Sequence, residues 1–241
     1  MSDCIVIIPT YNEIENIESI IRSVLSQHKT FHILIVDDNS PDQTADKVRL
    51  LQTQFEGRLF LENRKKKSGL GTAYVHGFRW ALEEKYEFIF EMDADFSHNP
   101  NDLEKLYNAC HFGNADLAIG SRYVTGVNVV NWPLNRVLMS YFASVYVRII
   151  TGMKIHDATA GFICYKREVL EGVDLNKIRF VGYAFQIEMK YRTFCKKFNI
   201  VEVPIIFTDR TKGESKMSNS IIVEAVFGVI SLRLKKIFNS L

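Results

Sequence analysis

Short apolar runs alternate with helical patterns through the first half of the chain. Residues 4–8 form a continuous apolar run, after which Ile17, Ile21 and Val24 recur at the spacing of one helix face. The alternation continues and predicts strands at 4–8, 33–36, 58–61, 88–92 and 115–120, with helices at 13–26, 45–55, 72–85 and 101–112. Because the predicted strands are almost wholly apolar, we expect a mostly parallel α/β sheet that helices cover on both faces.

The second half of the chain has a less regular pattern. It predicts helices at 136–152, 185–198 and 221–238, strands at 162–165 and 200–207, and loops at 126–135 and 208–218. We find no internal repeat or convincing linker. We therefore expect one catalytic unit over residues 1–218, followed by an amphipathic helix over residues 219–241 with a basic end at Arg233, Lys235 and Lys236.

Composition narrows the class of protein. The 241 residues are 47% hydrophobic and 24% charged, which is typical of a globular chain. A formal net charge of +2 gives no reason to expect a nucleic-acid partner. The four cysteines form no C-x-x-C pair, so we expect reduced thiols in the cytoplasm. We also expect no signal peptide, since the N-terminus lacks a basic segment, and no membrane span, since no apolar run reaches about 18 residues.

Polar clusters follow several predicted strands, at residues 9–13, 37–42, 93–97 and 120–123. Ligands of parallel α/β sheets bind beyond the carboxyl ends of the strands, so these clusters indicate the rim of an active site. Asp93 and Asp95 are two positions apart at a strand end, so both carboxylates can bind one hard cation. A solvated turn with the same pattern is the alternative. Residues 37–40 can contact a base or ribose, or cap the next helix.

The segment 64–72 is a basic loop with glycines that leads into a predicted helix. Such loops can bind phosphate, and a solvated run of charge is the alternative. The Walker A spacing is absent, and no G-x-G-x-x-G follows the first strand, so a P-loop NTPase and a dinucleotide oxidoreductase are disfavoured.

Taken together, the motifs resemble those of the dolichol-phosphate mannose synthases, which are polyprenyl-phosphate mannosyltransferases of glycosyltransferase family 2 with a GT-A fold. The similarity covers nearly the whole chain. The matching segments, in order, are PTYNE (9–13), VDDNSPD (36–42), SGLGTAY (68–74), MDADFSHNP (92–100), IGSRY (119–123), NWPLNR (131–136), DATAGF (157–162), GYAFQIEM (182–189) and DRTKGESKM (209–217).

The resemblance implies a GT-A-type, Rossmann-like, mostly parallel sheet, and it implies roles for particular residues. Asp95 is implied to be a ligand of Mg²⁺ or Mn²⁺. Asp93 lies beside it, and the next ligand position is Ser97, where some relatives have glutamine. Catalytic roles are implied for Asp95, Arg122 and Asp157; for Asp157 the alternative is that it caps the turn at residues 159–161. The positions implied to bind the substrates are Pro9, Tyr11, Glu13, Val36, Asp38, Asp93, Ala94, Arg122, Arg210 and Lys216.

The implied reaction is the metal-dependent, inverting transfer of mannose from GDP-mannose to a dolichyl or other polyprenyl phosphate. The acceptor keeps its tail in a bilayer, so we expect a peripheral enzyme on the cytoplasmic face of the membrane, held by amphipathic helices or by a membrane-anchoring partner protein. The segments 134–153 and 221–238 have the apolar and basic composition of interfacial helices; packing on the sheet or against another subunit is the alternative.

Two other functions remain open from the sequence. One is a polyprenyl-phosphate glycosyltransferase that uses UDP-glucose or another sugar nucleotide, because the contacts that select the nucleotide base cannot be identified from the sequence. The other is a non-catalytic module that binds a sugar nucleotide. A processive polysaccharide synthase is less consistent with the chain, which lacks a Q-x-x-R-W motif after Asp93-Ala94-Asp95.

Overall fold

The computed structural model describes residues 2–182, 184–210 and 219–238, with the backbone alone for residues 219–225. In chain order its strands are β1 (Cys4–Thr10), β2 (His32–Asp37), β3 (Leu59–Asn63), β4 (Phe88–Glu91), β5 (Leu117–Ser121), β6 (Val129–Val130), β7 (Ile163–Lys166), β8 (Ile200–Pro204) and β9 (Phe207–Thr208). Its helices are α1 (Ile17–Leu25), α2 (Thr44–Gln52), α3 (Leu70–Glu83), α4 (Leu103–His111), α5 (Leu134–Thr151), α6 (Arg167–Gly172), α7 (Ala184–Cys195) and α8 (Asn219–Ile237). The expected α/β architecture is confirmed.

Seven strands form the main sheet in the order β3-β2-β1-β4-β7-β5-β8. All neighbours are parallel except β7, which runs antiparallel to both β4 and β5. The parallel strands therefore end at one edge of the sheet, and β7 begins at that same edge. As a result, the segment 157–162 before β7 lies beside the loops that follow β4 and β5.

Helices cover both faces of the sheet, as the apolar strands predict. On one face, Tyr74 and Phe78 of α3 stack near Phe185 of α7, and each ring is fully buried. Burial of an aromatic side chain such as Phe78 stabilises the fold by about 1.5–3 kcal/mol. Gly77 lets α3 approach β1, because a Cβ at that position would lie 2.7 Å from Cγ2 of Ile7.

Helix α1 begins at Ile17, four residues later than the sequence pattern predicts. The backbone N–H groups of residues 12–14 donate to side chains of residues 40, 44 and 42, at distances of 3.0–3.1 Å. These long-range bonds hold the start of the predicted helix as a loop, and Ile14 is 38% exposed instead of packing in the core.

The predicted strand at 200–207 is interrupted after Pro204. Residues 207–208 form β9, which pairs with β6 inside the predicted loop at 126–135. The N–H of Thr208 also donates to the carbonyl of Ser97 at 3.3 Å. The ribbon therefore carries residues 205–210 over the loop that follows β4.

Helices α5 and α8 expose large apolar side chains. On α5, Phe142 is 61% and Ile149 is 74% exposed. Helix α8 packs on α5 and α7 through Val229 and Leu232, whereas Phe227 is 69% exposed on another face. None of the helices in the described ranges combines the length and hydropathy that crossing a bilayer requires.

Candidate active site

A pocket lies at the edge of the sheet where the parallel strands end. Its lining comes from β5 and the loops after β4 and β5, from the segment before β7, from residues 205–210 beyond β8, and from one residue each of α3, α5 and α7. The lining residues are Leu70, Asp93, Ser97, His98, Gly120, Arg122, Arg136, Thr159, Ala160, Gly161, Gln186, Ile205, Phe207 and Arg210. The structure thus brings together four of the residues that the sequence singles out: Asp93, Ser97, Arg122 and Arg210.

The loops after β1 and β2 are joined by the buried carboxylate of Asp37. It accepts hydrogen bonds from the hydroxyl of Thr10 at 2.8 Å and from the backbone N–H and hydroxyl of Ser40 at 2.9 and 2.6 Å. Asp37 is 0% exposed, so it shapes this edge from inside the protein.

Asp38 and Arg64 close the basic loop. Arg64 Nε donates to the Asp38 carboxylate at 2.5 Å, and Arg64 Nη1 donates to the hydroxyl of Thr72 at 2.9 Å. Only 13% of the Arg64 side chain is exposed. Arg64 therefore bridges β2 and the start of α3, whereas Lys65, Lys66 and Lys67 are exposed, as the solvated-charge alternative expects.

The remaining residues expected to contact a nucleotide lie along the same edge, with one exception. Pro9, Tyr11 and Glu13 are half-buried there, and the Lys67 ammonium lies 4.3 Å from the centre of the Tyr11 ring. Val36 is 0% exposed within the core, so the structure does not place it on the surface of the site.

The loop after β4 presents its two aspartates differently. The side chain of Asp95 is 6% exposed; one of its oxygens accepts the N–H of Ser97 at 3.1 Å, and the other lies 3.1 Å from Arg210 Nη2. The side chain of Asp93 is 41% exposed and lines the pocket. Ala94, between them, is buried.

The charges around these aspartates fit a divalent cation. Partial burial and the nearby carboxylates of Asp95 and Glu91 raise the pKa of Asp93 to about 7. Burial opposes ionisation of Asp95 as well, but hydrogen bonding from Ser97 and the charge of Arg210 outweigh it and lower its pKa. The Ser97 side chain is buried next to Asp95.

Two carboxylates and one hydroxyl make a partial set of oxygen ligands. Across the described ranges, no group of three or more His, Cys, Asp or Glu side chains could hold a metal ion. Magnesium-type ions commonly take one or two carboxylates and complete their shell with water and substrate phosphates. The donor set therefore fits a cation that is bound together with a diphosphate.

His98 has a structural position. Its Nδ1 accepts the backbone N–H of Asp93 at 3.2 Å, and its ring stacks on Phe162 with the centroids 4.9 Å apart. Burial and, to a lesser degree, the charge of Arg122 lower the pKa of His98 to about 4. The neutral ring supports the turn that carries Asp93.

Arg122 and Asp157 form a buried ion pair. Arg122 donates to the Asp157 carboxylate through its backbone N–H at 2.9 Å, through Nε at 2.7 Å and through Nη2 at 2.6 Å. Asp157 is 0% exposed and is not among the pocket-lining residues. Asp157 therefore lies behind Arg122, which lines the pocket.

Arg136 is a pocket residue that the sequence pattern assigned only to a helix. Its Nη1 lies 2.9 and 3.0 Å from the two carboxylate oxygens of Asp209, and its guanidinium lies 4.1 Å from the centre of a Trp132 ring. The signal was present in the segment NWPLNR, but the contact with Asp209 joins residues far apart in the chain.

A buried polar network lies behind the pocket. Glu91 accepts hydrogen bonds from Tyr165 at 2.8 Å and from the amide of Gln186, while Lys190 donates to the carbonyl of Ala160 at 2.6 Å. Burial raises the pKa of Glu91 to about 7 and lowers that of Lys190 to about 8. The network ties β4 and α7 to the segment before β7.

Glu188 on α7 is fully buried. Its carboxylate accepts the backbone N–H groups of Arg179 and Phe180 at 2.9 and 3.0 Å and pairs with Arg192 at 2.8 Å. Glu188 is thus a buried anchor for the loop before α7. Lys216, the last of the expected phosphate-binding residues, falls outside the described residues.

The pocket therefore places three guanidinium groups beside two carboxylates. Arg122, Arg136 and Arg210 are each paired with an aspartate of the protein, and because a guanidinium carries five N–H donors, one that pairs with a carboxylate can also bind a phosphate oxygen. Such an arrangement suits the transfer of a group between phosphorylated substrates.

Comparison with known proteins agrees with this chemistry. Residues 5–173 match the family described as glycosyl transferase family 2. The chain is 48% identical to a polyprenol monophosphomannose synthase of Mycolicibacterium smegmatis over 93% of its own length and 84% of the relative's. It is 44% identical to an undecaprenyl-phosphate mannosyltransferase of Micrococcus luteus, with 92% and 90% covered. It is 39% identical to a dolichol-phosphate mannosyltransferase of Pyrococcus furiosus, with 91% and 60% covered.

Solved structures show the same fold at lower sequence identity. Glucosyl-3-phosphoglycerate synthase from Mycobacterium tuberculosis, in complex with phosphoglyceric acid, superimposes with a TM-score of 0.69 at 17% identity. The match covers 97% of this chain and 79% of that one. The same enzyme in complex with Mn²⁺, UDP-glucose and phosphoglyceric acid gives a TM-score of 0.68.

Proposed function

The chain belongs to glycosyl transferase family 2 and is a glycosyltransferase, and from that premise we propose that it transfers mannose from GDP-mannose to a polyprenyl phosphate. The names of relatives at 39–48% identity support the sugar and the lipid phosphate. The observation in this chain that carries the proposal is the convergence of Arg122, Arg136 and Arg210 on one pocket beside Asp93 and Asp95.

The reaction forms a bond between an acceptor phosphate oxygen and C1 of the sugar, on the face opposite the leaving group. The bond from C1 to the diphosphate oxygen breaks, and its electron pair leaves with GDP. A phosphate monoester has a second pKa of about 6, so the attacking oxygen is already ionised near neutral pH. A strong general base is unnecessary, which agrees with the burial of Asp157 behind Arg122.

The chain's own residues then act by positioning and by offsetting charge. Arg122 is held rigidly by Asp157, and Arg136 is held by Asp209 and Trp132. Cationic groups fixed before the reaction stabilise charge that develops on the phosphate oxygens without reorganising. Arg210 lies on the Asp95 side of the pocket, where we place the diphosphate of the donor.

We propose that Asp95 and Asp93, with Ser97 beside them, hold Mg²⁺ or Mn²⁺ together with the diphosphate of the donor. When bound, the cation offsets negative charge on the leaving diphosphate. The proposal rests on the two carboxylates of Asp93 and Asp95 in one loop, with the buried Ser97 side chain beside them, and the raised pKa of Asp93 agrees with it.

The nucleotide is proposed to lie along the β1 and β2 ends of the sheet. Tyr11 offers a ring face beside Lys67, and the Asp38–Arg64 pair shapes the loop that leads into α3. Pro9 and Glu13 complete this edge. Stacking on an aromatic ring tolerates different bases, so these residues support nucleotide binding and leave the choice of guanine to the assay.

We further propose that residues 1–218 carry catalysis and that residues 219–241 help to attach the protein to the cytoplasmic face of a membrane. Arg136 lines the pocket from the first turn of α5, and the same helix exposes Phe142 and Ile149. A lipid acceptor could thus enter beside a surface suited to the bilayer interface. The four cysteines are free, which is typical of a reducing compartment.

The function is tested by incubating the purified protein with a short polyprenyl phosphate, radiolabelled sugar nucleotide and Mg²⁺ or Mn²⁺, with EDTA as the control. The proposal predicts metal-dependent labelling of lipid from GDP-mannose. Labelling from UDP-glucose alone would replace the donor while keeping the mechanism. Binding of the sugar nucleotide without any transfer would indicate a non-catalytic module.

A further inference from the structure

Glu202 on β8 gathers four hydrogen-bond donors around one carboxylate. Its Oε1 accepts from the hydroxyl of Ser121 at 2.7 Å and from the backbone N–H of Asp157 at 2.8 Å. Its Oε2 lies 2.8 Å from both the backbone nitrogen and the ring Nδ1 of His156. Only 8% of the side chain is exposed, and it does not line the pocket.

These contacts reach both partners of the Arg122–Asp157 ion pair from the side away from the pocket. Ser121 is the residue before Arg122, and Glu202 pairs across the sheet with the same strand, β5. The other contacts fix the backbone of His156 and Asp157, and Asp157 in turn holds the guanidinium of Arg122. A single carboxylate therefore sets the separation between the strand that carries Arg122 and the segment that carries Asp157.

Only a carboxylate can satisfy this set of donors. An ionised carboxylate accepts through both oxygens, whereas a glutamine has one accepting oxygen and one donating nitrogen. In a glutamine variant the –NH₂ group would face either the Ser121 and Asp157 donors or the two His156 nitrogens. The Ser121 hydroxyl or the neutral ring nitrogen of His156 can accept a hydrogen bond from that group, but a backbone N–H cannot, so the contact with one backbone N–H is lost.

We propose that Glu202 is a positioning residue for the transfer reaction: it sets the Asp157–Arg122 pair in the geometry that presents the Arg122 guanidinium to the pocket. The proposal rests on the proposed function for its kinetic consequence. Its structural consequence, the fixing of residues 121–122 and 156–157, can be measured without any substrate.

The test compares Glu202→Gln with Glu62→Gln. Glu62 offers a matched control, because its carboxylate also contacts a histidine nitrogen, His76 Nε2 at 2.9 Å, but it lies on β3 at the opposite edge of the sheet. We expect Glu202→Gln to lower kcat about 10–100-fold, as small misplacements of reacting groups do. The KM for GDP-mannose should change less than about 3-fold, because the β1 and β2 ends of the sheet are untouched. Glu62→Gln should leave both constants near the wild-type values.

A double-mutant cycle separates positioning from general destabilisation. If Glu202 acts through Asp157, the double variant Glu202→Gln/Asp157→Asn loses little more kcat than Asp157→Asn alone. Losses that multiply, or a kcat per folded molecule equal to wild type in Glu202→Gln, would overturn the proposal.

Amide hydrogen exchange gives a readout that does not depend on the reaction. We expect the amides of Arg122, His156 and Asp157 to exchange faster in Glu202→Gln, while those of β1 and β2 keep their protection. If the wild-type protein transfers no mannose from GDP-mannose, the proposed function fails. The exchange rates still test whether Glu202 fixes the backbone of residues 121–122 and 156–157. Unchanged exchange at these three amides would refute the positioning role by itself.

Discussion

Charged residues at the site are held in buried ion pairs, in which each charge needs its partner. Arg122 is 4% exposed and Asp157 is 0% exposed, and three hydrogen bonds run between them. Each charge loses its hydration on folding, so each depends on the other for compensation. Removing one partner therefore affects both stability and the geometry of the pocket.

Asp157→Asn should lower the free energy of unfolding by about 3–5 kcal/mol near pH 7, because it leaves a buried guanidinium without its counter-charge. Although burial opposes ionisation, Arg122 lowers the pKa of Asp157 in the folded protein. The stabilisation from a lowered carboxyl pKa is fully present above the unfolded value of about 3.9 and is lost as the pH falls through the folded value. The gap between wild type and variant should thus stay constant from about pH 7 to pH 5 and narrow below about pH 4.

Urea unfolding at a series of pH values measures this gap directly. A gap that keeps its full size at pH 2, or that grows on acidification, would contradict the assignment of the lowered pKa to the Arg122–Asp157 pair.

Arg210 is a second residue whose charge we expect the transfer reaction to need. It lies 3.1 Å from Asp95 and lines the pocket. We expect Arg210→Ala to lower kcat/KM at least about 100-fold, because a fixed cation near the leaving diphosphate is lost. Arg79 is a control on the surface of α3, where its Nη2 donates to Asn176 at 2.8 Å. Initial rates of Arg210→Ala and Arg79→Ala that fall by the same small factor would remove Arg210 from the mechanism.

At the scale of elements, local patterns predict the existence of most strands and helices but not all of their boundaries. The apolar runs gave β1, β2 and β4 to within two residues at each end. The start of α1 was wrong because side chains of residues 40–44, distant in sequence, bind the N–H groups of residues 12–14. The reversed direction of β7 leaves no local signal, since its first three residues are as buried as those of a parallel strand.

In the candidate site, too, some residues could be predicted from the local sequence and others could not. Asp93 and Arg122 follow apolar strands, so their place at one edge of the sheet could be predicted. Arg136 lies in the matching segment NWPLNR, but neither its place in the site nor that of Glu202 was predicted, because their partners Asp209 and Asp157 lie 73 and 45 positions away. Residues that support a site through long-range contacts carry only an ordinary strand or helix pattern.

Helix α5 allows the proposed membrane surface to be tested with a matched pair of phenylalanines. Phe142 on α5 is 61% exposed, and Phe112, after α4, is 78% exposed. We expect Phe142→Ser to weaken binding to vesicles of anionic phospholipid about 5–20-fold, since loss of a buried aromatic side chain removes about 1–2 kcal/mol of interfacial burial. Phe112→Ser should bind like wild type. Sedimentation with vesicles measures both, and equal binding by the two variants would exclude α5 from the interface.

In the whole molecule, the order and direction of the strands bring the residues of the candidate site together. Strand β4 brings Asp93 and Asp95, β5 brings Arg122, and the reversal of β7 places Asp157 between them. The ribbon of β6 and β9 then carries Arg210 over the loop that follows β4. Because these segments meet only in the folded chain, a donor that contacts them should stabilise the entire fold.

The thermal midpoint therefore reports donor and cation binding together. A ligand at 100 times its Kd adds about 2.7 kcal/mol of stability, and for a chain of this size 1 kcal/mol raises Tm by about 2–4 °C. We expect GDP-mannose with Mg²⁺ to raise Tm by about 5–10 °C. EDTA should remove most of that shift, because the diphosphate would then face the carboxylates of Asp93 and Asp95 without a cation between them.

Asp95→Asn should abolish the difference between Mg²⁺ and EDTA, whereas Asp46→Asn, at a side chain that is 66% exposed on α2, should preserve it. UDP-glucose under the same conditions tests donor choice. A wild-type shift of equal size in Mg²⁺ and in EDTA would mean that the arginines bind the diphosphate without a cation. Asp93 and Asp95 would then have to contact the substrates without a cation between them, and burial together with the Asp95 carboxylate would keep the pKa of Asp93 raised.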